Sequence, residues 1–92
     1  MMTRALIVFG LLTFAASAPV HATGVMTCKS GPKSGWKSMD SLKAELTGKG
    51  WNIRRIKEDG GCYEVYAVND KGQRVESYFH PVTFEHMTTT TR

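Results

Sequence analysis

The side chains in this sequence with the most chemistry to offer are two cysteines and two of the histidines. Cys28 and Cys62 are the only cysteines among the 92 residues, so they permit a single pairing. Redox-active dithiols usually lie two residues apart, and two thiolates alone do not complete a zinc site. We therefore predict a structural disulfide that closes a loop of about 35 residues and stabilises the fold by on the order of 3–4 kcal/mol.

His80 and His86 are the candidate metal ligands. They lie on either side of Pro81, with Glu85 between them. Two imidazoles and one carboxylate near a chain end fall short of the preorganised ligand set that a metal site needs, so we expect no metal and no cofactor. An exposed turn histidine and a tail histidine are the simpler interpretation. An accessory role in an envelope redox, metal or sensor system, acting through this pair, is the alternative.

No sequence motif supports catalysis. No serine lies in a Gly-x-Ser-x-Gly elbow, and neither a His-Glu-x-x-His pattern nor a phosphate-cradling glycine loop occurs. No nucleophile–base pair and no metal constellation can be assembled from these residues. We therefore expect a protein that binds a partner and has no enzymatic activity.

The balance of charge argues against nucleic acid as the partner. The chain has 12 Lys and Arg residues against 8 Asp and Glu, a formal net charge of +4, and this excess is mild and scattered. Lys29, Lys33 and Lys37 recur every four residues in the arm, and Arg54 and Arg55 are adjacent in a predicted strand. These cations would meet an acidic partner, anionic lipid headgroups or an anionic envelope polymer. Ordinary solubilising charge is the competing explanation for them.

Residues 1–22 have the three parts of a secretory signal peptide. Arg4 supplies the positive start, residues 5–16 are apolar and uncharged, and small residues at Val20 and Ala22 precede the cleavage point. A helix of twelve apolar residues spans about 18 Å, which is less than the roughly 30 Å of a bilayer core. We therefore predict cleavage after Ala22, no membrane span in the mature chain, and a periplasmic or secreted location.

The mature chain divides into an arm, a domain and a tail. Residues 23–35 are rich in Gly, Ser, Thr and Lys and predict an irregular arm, tethered by Cys28. Residues 36–85 carry the periodic apolar pattern of a folded domain. Residues 86–92 contain four threonines with nothing to bury, so we predict a flexible tail.

The domain begins with a helix. Met39, Leu42 and Leu46 recur at helical spacing after the capping oxygen of Ser38. Three predicted strands follow, at 51–58, 62–69 and 73–80. The short turns between them predict antiparallel pairing. The expected architecture is α+β, with one helix packed on a three-stranded antiparallel meander (α-β-β-β) and a disulfide-tethered N-terminal arm.

Alternation along the strands assigns side chains to the two faces of the sheet. The face toward the helix receives an apolar set: Trp51, Ile53, Tyr63, Val65, Ala67, Val75 and Phe79. The opposite face receives Tyr66, Val68 and Tyr78, and Cys62 has the same parity. Because tyrosine gives contact area at low entropic cost, Tyr66 and Tyr78 are candidate binding residues. Coverage of both rings by the chain's own arm is the alternative.

Several short motifs, in their order and spacing, resemble the PepSY superfamily and in particular its small, exported, single-domain members. The resemblance spans residues 36–85 and starts at Trp36 and Leu42. Its further motifs are Gly50-Trp51-Asn52-Ile53, Gly61-Cys62-Tyr63-Glu64-Val65 and Asn69-Asp70-Lys71-Gly72-Gln73-Arg74-Val75-Glu76. His80-Pro81-Val82-Thr83 matches the family's Asp-Pro-x-Thr-Gly ending in part, with His80 in place of Asp and Phe84 in place of Gly.

The resemblance implies a helix against an antiparallel sheet and a module without catalytic residues. PepSY domains occur in the propeptides of thermolysin-like secreted peptidases, which they are thought to restrain. They also occur beside membrane redox proteins and sensor systems of the bacterial envelope. We therefore expect a periplasmic protein-binding module, monomeric or weakly dimeric, that restrains or modulates a peptidase or another envelope or secreted protein.

Overall fold

The computed structural model of the protein describes residues 24–92, so the predicted signal peptide, residues 1–22, lies outside the described residues. The elements, in chain order, are a short 3-10 turn (Lys33–Gly35), helix α1 (Met39–Gly48) and strands β1 (Asn52–Asp59), β2 (Cys62–Val68), β3 (Arg74–Phe79) and β4 (His86–Thr91). The predicted α+β class, with the helix ahead of the strands, is confirmed.

Helix α1 carries the predicted cap and apolar stripe. The side-chain oxygen of Ser38 accepts a hydrogen bond from the Ser41 N–H at 3.0 Å, which satisfies one of the free donors of the first turn. Leu42 and Leu46 are 0% and 2% exposed and pack on the sheet. After the helix, Gly50 adopts a φ of +92° and turns the chain toward β1, at little steric cost because glycine has no Cβ.

The sheet has four strands in the order β1-β2-β3-β4, each antiparallel to its neighbour. The prediction of three strands is therefore wrong by one, and so is the prediction of a flexible tail over residues 86–92, because His86–Thr91 form β4. Threonine is β-branched and favours extended backbone. Thr91 lies opposite Val75 in the pairing of β4 with β3. Main-chain hydrogen bonds to β3 hold β4 in the sheet, so the strand forms without burying apolar side chains.

The main core lies between α1 and one face of the sheet. Its sheet side holds the residues that strand alternation predicted: Trp51, Ile53, Tyr63, Val65, Ala67, Val75 and Phe79. Ile56 joins them, although its three-residue spacing from Ile53 would place the two on opposite faces of a regular strand. The pairing register shifts between Ile53 and Arg55, so Arg54 is the extra residue of a β-bulge. The bulge lets both isoleucines face the helix.

The N-terminal arm is attached to the turn between β1 and β2. The predicted disulfide joins Cys28 to Cys62, and the Cys28 N–H donates to the Gly60 carbonyl at 2.8 Å. Gly60 and Gly61 have φ values of 61° and 81°, as a two-residue hairpin turn requires. A Cβ on Gly61 would lie 2.5 Å from the Cys28 carbonyl oxygen. Glycine is therefore needed here both for the turn and for the close approach of the arm.

The link between β3 and β4 contains a left-handed residue that has a side chain. Phe84 has a φ of +66°, and its N–H donates to the His80 carbonyl at 2.7 Å. Its ring is 9% exposed and belongs to the core. The left-handed conformation costs about 1–2 kcal/mol for a residue with a Cβ, whereas burying a phenylalanine contributes about 1.5–3 kcal/mol. Burial of the ring therefore offsets the strain at a position where the PepSY pattern has glycine.

We predict that Gly61→Ala destabilises the protein more than Gly72→Ala does. Gly72 also has a positive φ, 79°, but a Cβ there would meet nothing within 4 Å. Both substitutions lose about 1–2 kcal/mol for the left-handed backbone. Only Gly61→Ala also displaces the arm, so its free energy of unfolding should fall by at least about 1 kcal/mol further. Urea denaturation of the oxidised variants measures both losses. Equal losses would show that the arm moves aside without cost.

At position 84 we predict that a glycine variant is more stable than an alanine variant, which is the reverse of the usual order. Alanine normally stabilises a fold relative to glycine, because glycine has more freedom to lose on folding. Both Phe84→Gly and Phe84→Ala remove the buried ring, but only glycine relieves the left-handed strain. Phe84→Gly should therefore be more stable than Phe84→Ala by about 1 kcal/mol. Thermal unfolding of the two variants, side by side, tests this; an alanine variant as stable as the glycine variant would mean that the backbone relaxes out of the left-handed region.

Candidate protein-binding surfaces

The face of the sheet turned away from α1, called the second face below, carries two tyrosines and two glutamates. Strand pairing sets Glu64 opposite Tyr78 and Tyr66 opposite Glu76. All four side chains are buried: Tyr66 is 8% exposed, Tyr78 and Glu76 are 1% exposed, and Glu64 is 0% exposed. The structure thus places both predicted binding tyrosines on the predicted face, but neither presents a broad open ring.

Tyr78 takes part in attaching the arm. Its ring packs in a small cluster with Cys28 and Cys62, and its hydroxyl donates to Asp59 Oδ2 at 2.8 Å. Burial, and then the hydrogen bond to the Asp59 carboxylate, raise the pKa of Tyr78 well above the ordinary value of 10.0. The same Asp59 oxygen accepts from the Gly24 N–H at 2.7 Å. For Tyr78, these contacts support the alternative interpretation, in which the chain's own arm covers the ring.

Tyr66 lies among cations. Arg55 Cζ, Lys57 Nζ and Arg92 Cζ are 6.0, 5.8 and 5.5 Å from the centroid of its ring. Cations at this distance are attracted to the negative face of an aromatic ring, and their apolar stems can lie along it. Arg55 and Lys57 come from β1, and Arg92 directly follows β4. The Tyr66 ring on β2 is therefore contacted by cations from both edges of the sheet.

The two buried glutamates add to this arrangement. Lys57 Nζ is 3.8 Å from Glu64 Oε1, and Arg92 Nε is 3.8 Å from Glu76 Oε2. Taking a carboxylate out of water is costly unless a cation accompanies it, so these pairs tie the cations to the sheet. Neither glutamate was predicted to be a buried structural residue. The sequence shows that both glutamates have the same strand parity as Tyr66. Which cations lie next to them, however, depends on the strand register, which the sequence does not show.

The β1 bulge affects where the predicted arginines lie. Ile53 and Ile56 both face the helix, and Arg54 is the extra residue between the paired positions. Arg55 is paired with Tyr66 on the second face. In a regular strand, adjacent side chains would point to opposite faces, but a bulge opposes two residues to one. Arg54 and Arg55 are both exposed and both lie outside the helix-facing core.

The two candidate metal ligands make other contacts. His80 accepts from the Val82 N–H at Nδ1, 3.2 Å away, which leaves Nε2 to donate to the Lys29 carbonyl at 3.1 Å. His86 stacks on Phe79 with ring centroids 4.7 Å apart. Over residues 24–92, no group of three or more His, Cys, Asp or Glu side chains could hold a metal ion. These contacts lend no support to an accessory role through the histidine pair.

The outer edge of β4 is a second candidate surface. The Arg92 N–H donates to the Arg74 carbonyl at 2.8 Å, and hydrogen-bonded residues alternate along an antiparallel pair. The backbone N–H and C=O groups of Thr89 and Thr91 therefore point away from β3. Within the described residues, no strand pairs with this edge. At the other edge, β1 has its bulge and several charged side chains, features that disfavour further pairing.

One helix against a four-stranded meander, with an arm fixed by a disulfide, defines a small α+β domain. The chain belongs to the PepSY family, because the sequence model of the peptidase propeptide and YPEB domain matches residues 6–90. Domains of this propeptide type are generally non-catalytic, and the family together with the disulfide indicates an extracytoplasmic protein. No curated protein and no solved structure matches the chain.

None of the helices in the described part of the chain is long and apolar enough to cross a membrane.

We predict that the stability of the fold decreases in mild acid through His86. Partial burial, followed by the nearby charge of Lys49, lowers the pKa of His86 below the ordinary value of 6.5. The unfolded chain therefore binds a proton more readily than the folded chain. The full stability is present above about pH 6.5 and declines as the pH falls toward the folded pKa.

His86→Phe is the matched variant, because it keeps a ring on Phe79 but cannot ionise. Between pH 7.5 and pH 5.5 the urea midpoint of the unchanged protein should fall more than that of His86→Phe. If the two midpoints changed equally, His86 would not be the titrating group.

Proposed function

We propose that this protein is a non-catalytic periplasmic module that restrains a secreted or envelope peptidase by binding it. The observation that carries the proposal is the family match over residues 6–90, which identifies a domain of peptidase propeptides. The mode of binding is the addition of β4 to an extended segment of the peptidase. The outer edge of β4, with which no strand of residues 24–92 pairs, supports this mode, whereas the rings of Tyr66 and Tyr78 offer little exposed area.

An edge strand is suited to this task because its main chain provides the affinity. Extended peptides add to an exposed strand through backbone hydrogen bonds, and side-chain pockets adjust specificity. Residues Thr88–Thr91 have no charge and no proline, and the register shift of β4 lies before them, at Met87, so nothing within the threonine run opposes pairing. Thr89 and Thr91 are exposed and offer their outward backbone groups.

The same strand resists cleavage because it belongs to a sheet. To enter an active site as a substrate, a segment of β4 would have to leave β3 and lose a ladder that runs from His86 to Thr91. The turn before β4 is also held by the buried Phe84 ring. A strand fixed in this way occupies a peptidase without becoming a good substrate, which is the physical basis of restraint.

A kinetic assay tests the proposal. The full chain, secreted with its disulfide formed, is added to a purified thermolysin-type metallopeptidase that hydrolyses a fluorogenic peptide. We expect reversible inhibition, lost on dilution, while mass spectrometry shows the chain intact. Rapid degradation of the chain, or unaltered hydrolysis with no complex detected by gel filtration across a panel of such enzymes, would contradict restraint of this peptidase class.

A substitution at Thr89 tests the edge. Thr89→Pro removes an N–H that points away from β3, so the sheet keeps its ladder bonds, but an added strand loses a hydrogen bond and meets the proline ring. Thr89→Val is the control, because it also loses the hydroxyl that contacts Ser77 and His86 but keeps the N–H. We expect Thr89→Pro to weaken inhibition at least about ten-fold, equivalent to about 1.4 kcal/mol, with Thr89→Val near the unchanged protein.

Circular dichroism confirms that both variants are folded. Equal inhibition by the proline and valine variants would exclude strand addition at this edge while leaving restraint of the peptidase open to another surface.

A further inference from the structure

The corner of the second face around Tyr66 has cations that its own carboxylates do not neutralise. Arg92 contacts Glu76 through Nε, and its side chain is 34% exposed, so the terminal nitrogens of its guanidinium can donate to a further carboxylate. Arg54 and Arg55 are exposed, and within residues 24–92 neither takes part in an ion pair. Two guanidinium charges at this corner are therefore available to an anionic partner.

The fold holds these charges in a defined arrangement. The β1 bulge, required by the inward packing of Ile53 and Ile56, gathers Arg54 and Arg55 on the side of β1 away from the core. The Tyr66 ring then has Arg55 at 6.0 Å. A guanidinium that contacts an aromatic face loses less rotamer freedom on binding than one that moves freely in water.

We propose that the adjacent Arg54 and Arg55 at the β1 bulge, together with Arg92 at the Tyr66 ring, bind an extended acidic segment of a partner protein. Guanidinium groups match carboxylates because two parallel N–H donors meet two oxygens. The cationic groups of Arg55 and Arg92 each lie within 6.0 Å of the Tyr66 centroid, so they are at most about 12 Å apart, at the usual range of ring–cation contacts. Carboxylates on one side of an extended peptide repeat every 6.6–6.8 Å or so, which lets two of them reach this cluster.

Charge complementarity selects this occupant over a second copy of the chain. On the second face of another copy, Glu64 and Glu76 are buried and already accompanied by cations, so this face of a second copy offers the arginines no accessible acidic segment within the described residues. An anionic lipid surface rewards cations spread across a whole face, whereas Arg54 and Arg55 are adjacent at one corner of the second face. A short acidic segment fits that compact cluster better. Binding of an acidic segment at this corner is independent of the proposed restraint of a peptidase, because it requires neither strand addition at the outer edge of β4 nor inhibition.

The test uses the full oxidised chain and a fluorescein-labelled nine-residue peptide of alternating Glu and Thr. Fluorescence anisotropy at low salt measures the dissociation constant, and a peptide with Gln in place of every Glu is the ligand control. We expect the Glu peptide to bind at least about ten-fold more tightly than the Gln peptide, with the affinity falling as salt screens the charges.

Paired double variants assign the site. R54Q/R55Q should weaken binding of the Glu peptide about ten-fold. K43Q/K71Q removes the same charge from exposed positions on the helix and on the β2–β3 turn, and should change affinity little. R54K/R55K keeps the charge but removes the guanidinium forks, and should give an intermediate affinity.

Amide chemical shifts of the unchanged protein provide a readout that needs no variant. Titration with the Glu peptide should move the resonances of Arg55, Tyr66 and Arg92 and leave those of Lys43 and Lys71 in place. Equal binding of Glu and Gln peptides, equal losses in the two glutamine double variants, or shifts elsewhere on the surface would overturn the proposal. So would arginine-dependent binding to phosphatidylglycerol vesicles without binding to the peptide, which would assign the cluster to a membrane surface.

Discussion

One helix covers only one face of a sheet, and the described part of this chain has a single α-helix for four strands. The second face must therefore be protected by other means, and two different solutions meet on it. At one end, the Cys28–Cys62 disulfide holds the arm against Tyr78. At the other end, long cationic side chains surround Tyr66. Two residues that share strand parity and residue type consequently have different surroundings: Tyr78 lies under the cross-linked arm with its hydroxyl on Asp59, whereas Tyr66 lies among cations.

The two edge strands of the sheet, β1 and β4, also differ from each other. Strand β1 combines a bulge with a run of charged residues, both of which oppose the approach of another strand. Strand β4 is uncharged from Met87 to Thr91 and has no register shift along its threonines. The bulge has a second effect, since it turns Arg54 and Arg55 away from the core. A single extra residue therefore protects one edge and also gathers two charges, so edge pairing and charge recognition are assigned to different parts of the sheet.

Local patterns were sufficient to predict the helix, its cap and the helix-facing side of the strands, because those features depend on neighbours in sequence. The bulge has one sign in the sequence: Ile56 is three residues from Ile53, so strict alternation would place the two on opposite faces. Alternation alone could not predict that a bulge brings them to the same face. Strand β4 was missed because its threonines carry no apolar alternation and its pairing is set by β3. Burial of Glu76 could not be predicted for the same reason: its cation, Arg92, arrives with that strand. Phe84 departs from the glycine pattern, and only its burial explains how the turn persists.

The position of the disulfide also bears on how the protein responds to reductants. Cys62 is 0% exposed and Cys28 is 7% exposed, and thiol–disulfide exchange requires an attacking thiolate to reach one of the two sulfurs. The arm is hydrogen bonded at Cys28 to Gly60 of the turn, so the folded state presents little sulfur to a thiolate in solution. The rate at which a reductant cleaves the disulfide is thereby set by how often the arm separates from the hairpin. A transient opening of the backbone must precede thiol–disulfide exchange.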